Sequence, residues 1–314
     1  MKRIVLLLLF VCVIPFNCAP SQDEVDASRP RVALVMKTLN NPFFIDMQTG
    51  AEEAAKRLDV NLIVQAAERE LDVEKQMQIL ENLIQTQTDA ICVTPSGSKE
   101  IIPAIAKANQ AGIPVLVLDT RVDPEAAKEA GIKIETFIGS DNYEGGRIAG
   151  QYLIKLFKGK AKVAILEGIP GHETGDSRLR GFHDGIKEAA GVEVLASQPA
   201  NWERDQGFNV FQNILQAHRQ IDALFACSDL MALGAVEAIA AAGKTGQIKV
   251  IGFDALEETR KAIADGTIEA SVAQYSDEMG RIGIESAVHV LNGEKIPESI
   301  PVKIELITKD KEAE

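Results

Sequence analysis

Apolar residues along this chain fall into short β-branched runs that alternate with longer segments in which they recur at helical spacing, from residue 31 almost to the end. The runs at 31–36, 60–65, 90–94, 115–118, 136–139, 162–167, 192–198, 223–226, 250–253 and 271–274 read as strands. Within them the apolar positions are continuous, the pattern of parallel strands covered by helices on both faces. The segments 42–58, 73–87, 98–111, 143–157, 177–190, 205–217 and 230–242 read as helices, with Asn41-Pro42 as an N-cap and first-turn pair and Gly243 as a stop. The fold class is α/β, assembled from βαβ units.

A different pattern opens the chain. Met1-Lys2-Arg3 precedes an apolar run over 4–14, a charged start and a short hydrophobic stretch that describe a secretory signal too short to span a bilayer. The expected organisation is a signal peptide over 1–18 and a solvated tether over 19–30. Cys18 stands where an acylated amino-terminal cysteine would stand after cleavage, but Asn17 and Pro15 depart from the usual lipoprotein pattern. Acylation of Cys18 and simple cleavage near Ala19 both remain open. Either way the protein is expected in the periplasm or on the outer face of the membrane.

Without the leader about 290 residues remain, more than one core absorbs, so two lobes are expected. Two features divide them: the long connection 121–135, and a late strand, helix and strand (271–274, 277–291, 302–306) after what already reads as a complete second sheet. Return of the chain to the first lobe accounts for the latter. The lobes become 31–140 plus 275–303 and 141–274 plus 304–314, with connecting segments near 139–141, 274–276 and 301–304 that form a hinge.

Charge narrows the ligand. The chain carries 33 Lys and Arg against 46 Asp and Glu, a formal charge of −13. Such a field repels phosphate backbones, which argues against nucleic acid and for a neutral or locally paired ligand. Cys92 and Cys227 lie inside apolar runs and read as buried small hydrophobes, and the four His lack the spacing of a metal set, so neither metal nor cofactor is expected.

In open parallel sheets ligands bind beyond the carboxyl ends of the strands. The residues there are Asn41, Phe43, Phe44 and Asp119 in the first lobe. In the second they are Arg178 in the loop after 162–167, Trp202 after a Ser197-Gln198-Pro199 turn, Ser228, Asp254 and Gln274. Carboxylate, guanidinium and carboxamide groups each engage two neighbouring hydroxyls, while aromatic rings cover the C–H faces of a saturated ring, so the set suits a polyhydroxylated neutral ligand. Simpler roles compete: Asp141, Ser228 and Asp229 also read as helix caps, and Phe43 and Phe44 as packing under a loop. Asp119 and Asp254 end apolar strands and each needs a partner, such as Arg178 or a ligand hydroxyl. Gly243-Lys244-Thr245 is not a phosphate loop, since Ala238 replaces the first required Gly and the order is helix then strand. The segment 139–146 opens a helix without a supporting base and reads as a cap.

Seven blocks in order resemble the ribose-binding group of periplasmic binding proteins and its allose-binding relatives: Thr38-Leu39-Asn40-Asn41-Pro42-Phe43-Phe44, Val117-Leu118-Asp119, Ser140-Asp141-Asn142, Leu195-Ala196-Ser197-Gln198-Pro199-Ala200, Asp229-Leu230-Met231-Ala232-Leu233-Gly234-Ala235, Gly252-Phe253-Asp254 and Val272-Ala273-Gln274. The resemblance implies a type I periplasmic binding protein: two Rossmann-like lobes on a three-segment hinge that close on a monosaccharide and present it to an ABC importer permease, without catalysis. It implies sugar contacts at Asn41, Phe43, Phe44, Asp119, Arg178, Trp202, Asp254 and Gln274. The chain departs from the ribose binders at Thr120, where Arg is usual, and at Ser228, where Asn is usual; both changes shorten the wall and point to a ring of hexose size or to an acyclic polyol. An alternative is a polyol or signalling-sugar binder that feeds a chemoreceptor or sensor. A gene regulator on this core would need a basic helix-turn-helix module ahead of Arg31, where the chain has an apolar leader and an acidic tether. A glycosidase would use Asp119 and Asp254 as its pair across the cleft.

Overall fold

A computed structural model describes residues 29–312, so the expected signal peptide, Cys18 and most of the tether lie outside the described residues. Two six-stranded sheets form the two lobes. The first contains β1 (Arg31–Met36), β2 (Asn61–Ala66), β3 (Ala90–Val93), β4 (Val115–Leu118), β5 (Phe137–Ser140) and β11 (Ser299–Val302), in the order β11-β5-β4-β3-β1-β2. The second contains β6 (Lys160–Glu167), β7 (Gly191–Pro199), β8 (Ala223–Ala226), β9 (Lys249–Asp254), β10 (Ala270–Ala273) and β12 (Glu305–Thr308), in the order β12-β10-β9-β8-β6-β7. The two orders are equivalent, so one half of the molecule repeats the other. Every pairing is parallel except β10 with β12.

Coverage on both faces explains the continuous apolar strands. On β1, Val32, Leu34 and Met36 enter a cluster with α1 (Pro42–Leu58) and α10 (Ser276–Leu291), while Ala33 and Val35 enter the cluster on the opposite face with α2 (Val73–Gln85) and α3 (Ile102–Gln110). Each sheet reverses its strand order beside its first strand, and a crevice opens at the carboxyl ends there, at β1/β3 and β6/β8.

Three features differ from the expectation. The connection 121–135 does not divide the lobes: it joins β4 to β5 within the first sheet and contains the short α4 (Pro124–Ala130), which buries no residue. The expected strand 302–306 is two strands, β11 and β12, one on each sheet, with the chain crossing between them at 303–304. An unforeseen α9 (Glu257–Asp265) follows β9; it buries only Thr259 and Ile263, so it leaves no apolar stripe to read.

Glycines set the distance between neighbouring helices. Between α5 (Asn142–Phe157) and α6 (Glu173–Ile186), a Cβ on Gly146 would lie 2.0 Å from the Arg178 carbonyl oxygen and one on Gly181 1.9 Å from that of Tyr143. The α1/α10 pair repeats the device with Gly50 and Gly280, and α7 (Arg204–Ala217) with α8 (Asp229–Ala241) repeats it with Gly207 and Gly234. Backbone contacts of this kind leave no room for a methyl group. Gly146→Ala is expected to lower stability by about 1–3 kcal/mol through overpacking against the turn that carries Arg178. An unchanged denaturant midpoint would show that the two helices separate freely.

Candidate ligand-binding site

All nine residues selected from the sequence line one cavity between the lobes, together with Lys37, Glu70 and Thr174. The atom-free space there, counting the part open to solvent, is about 320 Å³.

The first lobe supplies one wall. Asn41 caps α1, accepting from the Phe43 amide at 3.1 Å while its own amide group donates to Glu70 Oε1 at 3.1 Å. This fixes the first turn of α1, where Phe43 and Phe44 are buried edge to face with centroids 5.2 Å apart. Asp119 follows β4 in the left-handed region (φ 62°), and its carboxylate accepts from Lys37 Nζ at 3.0 Å and from Thr120 Oγ1 at 2.8 Å. The Lys37 ammonium also donates to Thr120 Oγ1 at 2.7 Å. Lys37 is the partner that Asp119 requires, and it places a long cationic donor in the wall beside the shorter Thr120. Arg121 points elsewhere, its guanidinium 3.7 Å from the Phe137 ring centroid.

The second lobe mirrors this arrangement. Asp254 ends β9, the counterpart of β4, at φ 121°, and Arg178 Nη1 lies 3.5 Å from its Oδ1. Arg178 stands in the second turn of α6 and not in a loop, because α6 begins at Glu173, four residues earlier than the pattern indicates. Its Nε donates to Asn142 Oδ1 at 2.8 Å and its Nη1 to the Cys227 carbonyl at 2.7 Å, with the guanidinium 3.8 Å from the Phe253 ring centroid. Gln274 donates to Asp254 Oδ1 at 2.6 Å. Positive φ at Asp119, Trp202 and Asp254 is strain concentrated where side chains face the cavity.

Trp202 follows an extended strand: Ser197-Gln198-Pro199 is the end of β7 and not a turn. Its ring is 6% exposed and fills a slot made by Gly168 and Gly175, where a Cβ would come within 2.0 and 3.1 Å of the indole. Its Nε1–H, like the Gln274 Oε1 acceptor, is buried without a hydrogen-bond partner. Both residues line the cavity, so each leaves one polar atom unsatisfied at its wall. Ser228 serves as the cap of α8 while lining the cavity, and Asp141 caps α5. Asp229 is not a cap: its carboxylate is buried and accepts from the Leu256 amide and the Ser271 hydroxyl.

Burial shapes the titration of the acidic groups. It pushes Glu70 up against the opposing influence of Lys37 and Asn41, and pushes Asp254 well up against that of Arg178. Cys92 and Cys227 are free, buried thiols pushed up to about 12 by desolvation, which leaves them inert.

Lys37, Glu70 and Thr174 escaped the sequence reading. Lys37 is the first polar residue after β1 and could have been found by the same strand-end rule; Glu70 sits in a polar loop and Thr174 in the first turn of α6, in stretches where nothing distinguishes them.

Comparison with known proteins accounts for this architecture. The family model described as a periplasmic binding protein domain matches residues 32–295. The chain belongs to the periplasmic binding proteins. Among these, the ribose import binding protein of Escherichia coli is 39% identical over 282 residues, covering 90% of this chain and 92% of the relative. The D-allose-binding periplasmic protein of the same organism is 36% identical over 271 residues, covering 86% of each. A solute-binding protein from Actinobacillus succinogenes, solved with bound D-allose, superposes with a TM-score of 0.88 at 40% identity and covers 91% of this chain and 99% of its own.

The buried Lys37–Asp119 pair gives a direct test of this periplasmic binding protein site. Asp119→Ala leaves an uncompensated ammonium and is expected to cost about 3–5 kcal/mol, whereas Asp119→Ala combined with Lys37→Met is expected to recover much of that loss. Additive losses in a denaturation double-mutant cycle would show that the two groups do not interact.

Proposed function

We propose that the protein is the exported solute receptor of an ABC sugar importer and that its ligand is a monosaccharide of pentose or hexose size. The apolar leader supports export, with Cys18 or the following residue as the mature start. Similarity to ribose- and allose-binding importer proteins supports the ligand class and the permease as partner.

One observation carries the reading most strongly: a buried carboxylate from each lobe, each beside a cation, faces a single cavity with aromatic rings on both sides. Water cannot screen such groups well, so a hydroxyl-rich ring that satisfies Asp119, Asp254, Gln274 and the Trp202 N–H at once is strongly favoured over one that satisfies half of them. Asn41, Phe43, Phe44, Arg178 and Ser228 complete the proposed contacts, with Lys37, Glu70 and Thr174 added. Because the contacts come from both lobes, the ligand binds the closed form better than the open one and shifts the equilibrium towards closure by that difference. The closed form is then the one presented to the permease. The residues act by binding and orientation, and no bond is broken.

Titration calorimetry of the chain from residue 19 with D-ribose and D-allose is expected to give one site per molecule for at least one sugar. Asp254→Asn is expected to weaken binding about 10- to 100-fold while the fold persists. Absence of heat and of thermal stabilisation with both sugars would count against the ligand class, and unchanged affinity in Asp254→Asn would remove that residue from the site.

A further inference from the structure

Leu256 belongs by sequence to the second lobe, in the turn between β9 and α9, yet it packs into an apolar cluster whose other buried members all come from the first lobe, among them Phe43, Phe44, Met47 and Met279. It is 4% exposed and does not line the ligand cavity. Leu230, at the start of α8, packs partly against the same cluster.

The turn that presents Leu256 is strained and braced. Asp254 and Ala255 have φ of 121° and 55°, conformations that a non-glycine residue holds only when its surroundings enforce them. The enforcement comes from Asp229, whose Oδ2 accepts from the Leu256 amide at 2.8 Å and whose Oδ1 accepts from Ser271 Oγ at 2.7 Å; Ser271 Oγ in turn accepts from the Ala255 amide at 3.0 Å. Gly252 makes room for this carboxylate, since a Cβ there would lie 2.1 Å from Asp229 Oδ1. One rigid turn thus carries Asp254 into the cavity and Leu256 onto the opposite lobe.

A further direct contact joins the lobes. Thr120 Oγ1 and Thr174 Oγ1 lie 3.0 Å apart, both buried. With the Thr120 hydroxyl proton given to Asp119, Thr174 is the donor between them.

We propose that Leu256 is a positioning residue of the cleft, an apolar clamp that stabilises the closed arrangement without touching ligand and ties closure to the placement of Asp254. The lobes are then held together in part by protein contacts that exist before any ligand contributes, and affinity depends on the fraction of molecules already closed.

The test compares wild type, Leu256→Ala and Leu256→Met by small-angle X-ray scattering of the ligand-free chain and by stopped-flow release of D-ribose and D-allose. Leu256→Ala is expected to increase the radius of gyration and to weaken the binding of whichever sugar is bound about tenfold, mainly through faster dissociation. Leu256→Met, which restores apolar volume, is expected to stay near wild type in both readouts. A radius of gyration and dissociation rate unchanged in Leu256→Ala, or a lower melting temperature with neither of them altered, would overturn the proposal and leave Leu256 a packing residue. The scattering arm needs no sugar, so if neither sugar binds, it alone decides the clamp, and the ligand assignment fails separately.

Discussion

The constraint on which the rest of the structure depends is a buried carboxylate at the end of the fourth strand of each lobe. The Asp119 and Asp254 side chains are almost without solvent, and an isolated charge there would unfold a domain of ordinary stability. Each lobe meets the requirement differently: the first with Lys37, immediately after its first strand, and the second with Arg178, on the helix after its first strand. Both partners lie in the chain that follows the strand at the reversal of sheet order, so the topology that opens the crevice also delivers the cation that makes a buried aspartate tolerable there.

Holding these pairs requires the layers above the sheets to be thin and rigid. Arg178 is directed by α6, whose distance from α5 is fixed by backbone contact at Gly146 and Gly181. The Trp202 ring fits only because Gly168 and Gly175 leave a slot, and Asp229 reaches the 254–256 turn only across Gly252. These glycines contribute no chemistry to the cavity. They set distances, and a cavity built from bidentate groups is sensitive to such distances because paired hydrogen bonds fail together when one partner shifts.

Much of this was legible in the amino-acid sequence for a physical reason. A parallel strand covered on both faces is written as an unbroken apolar run, so its carboxyl end is a sharp boundary, and the polar residues at that boundary are few. Reading them off yields Asn41, Asp119, Ser228, Asp254 and Gln274. Lys37 was missed although it obeys the same rule, because its meaning lies in a partner 82 residues away and a lysine at a strand end ordinarily points to solvent. Helices α4 and α9 were missed because they bury almost nothing, and periodicity reports burial, not helicity. The division of the last strand between two sheets is a tertiary event: 299–308 carries one mixed pattern, and only the two edges it meets decide where it breaks.

The cleft joins these strands of argument. If only ligand held the lobes together, every part of closure would have to be supplied by hydroxyl contacts, and each ligand change would be felt in full. Direct contacts such as Thr120 with Thr174 and Leu256 with the first-lobe cluster lower that demand. They do not remove it, since the polar groups that line the cavity come from both lobes. A receptor that must release its ligand gains from such a balance, because contacts remote from the cavity can set how readily the lobes part while the groups that recognise the ligand stay fixed.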